Sequence, residues 1–210
     1  VGGVAFSLGL ILVVVAGADL FTGDTLMIMG CLSRKITVRQ MLRCWAFVFC
    51  GNLAGALAIV WLVHASGHWT ANGAAVGVKA LAIAQAKMGL TFGQAFSSGM
   101  LCNILVCLAI WLCHACRSVT DKILAILFPI TAFVAMGFEH SIANMYFVPA
   151  GLLLKGEPTV TRLLPGVDLS GLTAARFALT HLLPVAIGNM VGGAVFVGMV
   201  YWVLYLRKRG

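Results

Sequence analysis

Gly137-Phe138-Glu139-His140-Ser141-Ile142-Ala143-Asn144 sets an acid and a histidine in the middle of an apolar run. An ionised side chain at membrane depth is costly, so one found there has a local reason. The glycine before the acid and the serine after the histidine both disfavour an unbroken helix. The same design occurs earlier, in Gly17-Ala18-Asp19-Leu20-Phe21-Thr22-Gly23-Asp24: glycine, an acid two residues on, Asp or Asn seven on. A second pair follows in the same order, Gly51-Asn52-Leu53-Ala54-Gly55-Ala56 and Gly188-Asn189-Met190-Val191-Gly192-Gly193. Two motifs repeated in one order point to duplicated halves.

The surrounding sequence reads as membrane spans. Of 210 residues, 61% are hydrophobic and only 10% charged, where a soluble domain carries about 25% charged residues. The apolar runs neither alternate nor keep to the roughly ten-residue length of barrel strands. An all-α integral membrane fold remains, with 1–210 as a single domain. Runs at 1–17, 40–64, 92–116, 122–154 (interrupted) and 174–206 serve as five spans, a full crossing taking about 20 helical residues. Segments 65–91 and 155–173 read as polar-leaning connections. The repeat halves are placed at about 1–64 and 92–206.

Orientation follows from Lys and Arg beside the spans. Arg34, Lys35, Arg39, Arg43, Arg117, Lys122, Arg207, Lys208 and Arg209 fall on one side if the spans alternate. That side is expected to be cytoplasmic, with the C-terminus inside. Lys79, Lys87, Lys155, Arg162 and Arg176 are spread along the longer loops of the other side. The net charge of +8 is then a matter of topology and attraction to the membrane surface. No basic face with interleaved aromatics suggests nucleic acid. Three spans separate the two inter-motif loops, so the halves are inverted, as in many transport proteins. The second half has three spans and the first two, so a sixth span is expected upstream of Val1.

A break in a spanning helix frees backbone groups that lipid cannot satisfy, and it is tolerated around a cavity. New half-helix N-termini, predicted near Thr25 and Ile142, would carry partial positive charge and attract an anion at mid-membrane. The alternative for each break is a kink that serves packing only. The Gly-Asn-x-x-Gly motifs read first as small-xxx-small packing, with Asn52 and Asn189 available to bond the broken segments. His140 is either a donor of a proton or hydrogen bond to a passing anion, or an imidazole satisfied by nearby backbone. Of seven Cys and five His, only Cys113-His114-Ala115-Cys116 cluster, and no second pair has ligand spacing. No metal, no cofactor and no enzymatic activity are expected. A membrane redox enzyme built on these Cys and His residues is the reading from another class.

Several stretches resemble the formate–nitrite transporter family, and within it the bacterial formate channels. The resemblance rests on Ala18-Asp19-Leu20-Phe21-Thr22 and the 137–145 segment, on both Gly-Asn motifs, and on the segments 6–12, 103–111 and 201–207; it covers nearly all the chain. It implies an aquaporin-like protomer with its own pore, six spans, two broken helices and a pentamer in the bacterial inner membrane. Formate and related small monovalent anions would be the substrate. By the same resemblance His140 would be the central pore histidine, with Thr22 beside it and Glu139 and Asn144 in the same break. Leu20 and Phe21 would lie on a mobile loop. Phe6, Leu10, Asn103, Val106 and Phe133 would line narrow points, and Lys87 would sit near the external mouth. Asp24 departs from the family's pattern, which has a small or neutral residue there.

The mechanism expected is passive and pH-sensitive. Half-helix dipoles and mouth cations draw the anion in, and His140 hydrogen-bonds it and can supply a proton at an apolar constriction. Proton-coupled symport of formate, and a nitrite or hydrosulfide channel of the same fold, are the rival readings.

Overall fold

The computed structural model describes residues 1–207, and every long element among them is helical. Lys208 and Arg209, counted above with the basic face, lie outside the described residues. Helix α1 (Gly2–Ala16) meets α2 (Phe21–Leu32) at a bend of 61°. Then come α3 (Val38–Ala65), α4 (Ala75–Met88), α5 (Phe92–Ala115) and α6 (Val119–Ala135). A second break, at 136–140, leads into α7 (Ser141–Leu154), and α8 (Ala174–Leu206) closes the bundle. Helices α3, α5 and α8 are each long and apolar enough to cross a membrane, and α1 with α2 is so as a bent pair.

Local chemistry sets the starts. Thr37 with Gln40, Thr91 with Gln94 and Ser118 with Asp121 form reciprocal capping boxes that open α3, α5 and α6. Hydrogen bonds from Ser118 hold the exposed Asp121 carboxyl below the usual carboxylate range. Each break begins alike. Gly17 (φ 79°) ends α1 and Gly137 (φ 69°) follows α6, in a left-handed conformation that suits glycine. The next helices begin after an extended residue, Leu20 before α2 and His140 before α7.

Two expectations need correction. The first half-helix starts at Phe21, four residues before the predicted Thr25, and Phe21 is helical rather than part of a loop. Gly23 lies inside that helix, where an added Cβ would meet only the tip of the Ile110 side chain at 2.8 Å. The 65–91 connection contains α4, whose 14 residues make a rod of about 21 Å. That falls short of the about 30 Å hydrocarbon thickness, and Lys79, Gln85 and Lys87 dilute its apolar pattern. Leu81, Ala84 and Met88 of α4 are buried with Met145, Val148 and Leu154 of α7.

Glycine sets the closest helix contact. A Cβ at Gly188 would collide with the Phe96 carbonyl and one at Gly192 with the Met100 carbonyl, so α5 and α8 touch backbone to backbone. The matching Gly51 and Gly55 on α3 face open space. Leu10, Val106, Ile126, Ile130 and Phe133 bind α1, α5 and α6 into a second core. The two breaks lie between these cores.

Candidate functional site

The two asparagines of the repeated motifs hold the two breaks in the same way. Asn52 Oδ1 accepts from the Phe21 N–H at 3.1 Å, and Asn52 Nδ2 donates to the Asp19 carbonyl at 3.1 Å. Asn189 Oδ1 accepts from the Ser141 N–H at 2.9 Å, and Asn189 Nδ2 donates to the Glu139 carbonyl at 3.1 Å. Each amide thus satisfies one freed donor and one freed acceptor two residues apart, which is the need that a helix break creates. Asn189 Nδ2 also reaches the Gly99 carbonyl at 2.7 Å. The Gly-Asn motifs therefore do more than pack: in the second half glycine brings the helices together while asparagine ties off the break.

Leu20 and His140 occupy matching positions, each the extended residue before a half-helix. Both border one cavity of about 190 Å³, together with Phe6, Leu10, Val106 and Phe133. A second cavity, of about 330 Å³, is lined by Lys87, Gly137, Asn144 and Phe147. Phe6, Phe133, His140 and Ala143 border both, so these side chains form the wall between them. The three rings in that wall are in contact. Phe6 meets Phe133 edge-on at 5.5 Å, and His140 lies 6.3 Å from Phe6 and 6.0 Å from Phe133 between centroids.

The His140 ring is fixed at both nitrogens. Nδ1 accepts the Ala143 N–H at 3.1 Å, which caps α7, and Nε2 lies 3.0 Å from Thr22 Oγ1. A nitrogen that accepts cannot also carry hydrogen. The neutral ring therefore holds its proton on Nε2 and donates it to Thr22. The imidazole is satisfied by backbone on one side, as the second reading of His140 expected, and borders both cavities on the other.

Glu139 turns away from this wall into a buried polar cluster. Lys87 Nζ donates to its two oxygens at 3.0 and 2.8 Å, and Asn144 Nδ2 donates to Oε2 at 2.7 Å. Side chains therefore hold this acid, not the N–H groups freed at the break. Asp19, its counterpart, is exposed. His181 completes the cluster and was missed from the sequence. Its Nε2 lies 2.9 Å from Asn144 Nδ2 and 3.5 Å from Glu139 Oε2. Asn144 Nδ2 can only donate, so it faces His181 Nε2 as the donor. The signal for His181 was its place as a titratable residue within the apolar run 174–206.

Besides Glu139, three expected site residues border neither cavity. Asn103, expected at a narrow point, is fully buried; its amide donates one hydrogen to the Asn189 carbonyl at 2.7 Å and shares the other between the Thr22 carbonyl at 3.0 Å and Thr25 Oγ1 at 3.2 Å. Phe21 packs edge-on against Phe49 at 4.9 Å. Thr22 is buried beneath His140. Asp24 lies on the α3 side of α2, where its carbonyl accepts from Trp45 Nε1 at 2.9 Å. No group of three or more metal-ligating side chains occurs among the described residues.

Comparison with known proteins adds three findings. A family model described as formate/nitrite transporter matches residues 1–203. The formate channel FocA of Escherichia coli K12 is 44% identical over an alignment of 213 residues, covering 99% of this chain and 74% of that protein. Among solved structures, a pentameric formate channel with formate bound superposes with a TM-score of 0.88 at 43% identity, covering 98% of this chain and 82% of that one.

Proposed function

The chain belongs to the formate/nitrite transporter family, and from that premise we propose that it conducts formate passively through each protomer, past His140. The observation that carries this reading is the wall of Phe6, Phe133 and His140 between two cavities. A bare carboxylate crosses such an apolar ring at high cost. The only polar edge in the ring is the imidazole, and Lys87 stands at the cavity on one side. The N-termini of α2 and α7 both point their partial positive charge toward this region. Formate enters the Lys87 cavity and takes the Nε2–H of His140 in place of the Thr22 hydroxyl.

Proton supply makes the passage sensitive to pH. For His140 to give up a proton and remain neutral, it must first take a second one, and the free position is Nδ1. That nitrogen is where the Ala143 N–H is aimed, so charging the ring sets two donors against each other and opens the cap of α7. Passage as the neutral acid is thereby coupled to a local opening of the second break. The protein works as a homopentamer in the bacterial inner membrane, with its basic loops and C-terminus cytoplasmic. The pentameric relative and the clustering of Arg34, Lys35, Arg39 and Arg43 support that placement.

Formate flux into proteoliposomes at pH 5 and pH 7.5, for the parent and for His140→Ala, tests the reading. The parent changes its flux with pH, and the variant loses that dependence while still passing formate. An unchanged profile in the variant removes the proton role. Formate accumulated above equilibrium by a pH gradient alone would establish coupled transport in place of a passive channel.

A further inference from the structure

Apart from the transport site, a cavity of about 820 Å³ opens between the C-terminal ends of α2 and α8. It shares no lining residue with the two cavities at His140. Arg34, Lys35 and Arg207 line it, and its apolar walls come from Leu32, Leu206 and the Trp202 ring. Among the described residues, none of these three cations has a carboxylate partner within salt-bridge distance. The two helix ends each contribute roughly half a negative charge, so three full cations leave the cavity net positive.

The backbone supplies an independent observation. Arg34 has φ 58°, one of three non-glycine residues in the left-handed region. It stands where a helix-terminating glycine is usual, since the Arg34 N–H bonds Cys31 O and the Lys35 N–H bonds Gly30 O, both at 2.9 Å. A non-glycine residue held there is strained, a feature found at ligand sites. Glycine would relieve the strain and lose the guanidinium. Trp202 Nε1 donates to Ser33 Oγ at 2.9 Å, which locks this turn to the last turns of α8. At 33 residues, α8 is longer than the about 20 that cross the hydrocarbon core, and in the orientation proposed above its basic end reaches the headgroups.

We infer that this cavity binds the phosphate of an anionic phospholipid, with Arg34, Lys35 and Arg207 around the headgroup and the acyl chains leaving along Leu206 and Trp202. The apolar walls and the level in the bilayer favour a lipid over free phosphate, and basic pockets between spanning helices bind such headgroups. The test uses the purified protein in a neutral detergent, with bound lipid read by native mass spectrometry and thermal stability in parallel. Dioleoylphosphatidylglycerol is retained in preference to dioleoylphosphatidylcholine. Arg34→Gly weakens that retention about fivefold, the effect of one cation near a membrane surface, while its lipid-free melting temperature is equal or higher. Lys35→Gln with Arg207→Gln weakens retention further. Equal retention of the two lipids, or retention unchanged in these variants, overturns the inference. Inorganic phosphate that displaces the lipid and reproduces its thermal shift overturns the lipid assignment in favour of free phosphate.

Discussion

In the proposed path Thr22 competes with formate for one hydrogen. The Nε2–H of His140 points at the Thr22 hydroxyl, and an anion gains that donor only by displacing it. Thr22→Val keeps the side-chain shape and removes the competitor. A neutral hydrogen bond is worth about 1 kcal/mol net, so half-saturation by formate should fall by about five- to tenfold, as read from concentration-dependent flux. A rise in half-saturation would show that Thr22 is itself a formate ligand. At this scale the residue types themselves were informative about the ionisable groups at the second break. Glu139 and His140 stood out because ionisable groups are rare in apolar runs. Asn103 and His181 also sit in apolar runs, but what faces them is decided by other helices. No spacing within the chain shows that Asn103 serves the backbone of α2 and α8 while Leu20 borders a cavity.

Helices α5 and α8 are held by the Gly188 and Gly192 contacts with the Phe96 and Met100 carbonyls. A side chain at Gly192 must push the helices apart, and overpacking of this kind costs about 1–3 kcal/mol. Gly192→Val should lower the melting temperature in detergent and reduce formate flux together, because Asn189, one turn away, would lose its grip on the second break. Stability equal to the parent would show that α8 shifts freely along α5. The long apolar elements were legible from hydropathy, and the repeat located both breaks. Helix α4 was not, because a short helix packed on α7 with two lysines has neither the length nor the apolar content of a span. The start of α2 was misplaced because glycine is a poor helix former, whereas Gly23 lies within the first turn of α2 against the Ile110 side chain.

The whole molecule leaves large apolar side chains on its outside. Phe47, Trp61 and Leu62 of α3 and Phe196 and Leu204 of α8 are all exposed. A surface of this kind suits lipid or a second copy. Native mass spectrometry of the detergent-solubilised protein should give a mass of five chains, matching the related pentameric channel; a monomer as the sole species would count against it. The fold class was readable from composition at this scale. How the parts join was not, since it depends on contacts between residues far apart in the chain.

One of those contacts bears on time. Asn103 bonds the first break through the Thr22 carbonyl and bonds α8 at Asn189, whose side chain holds the second break. Neither break can loosen without straining the amide they share, so the two breaks are expected to open across one barrier instead of two in succession. Formate currents from one protomer in a planar bilayer should therefore step between two levels, with dwell times fitted by one exponential each. In Asn103→Ala, intermediate levels should appear as the two breaks begin to fluctuate out of step.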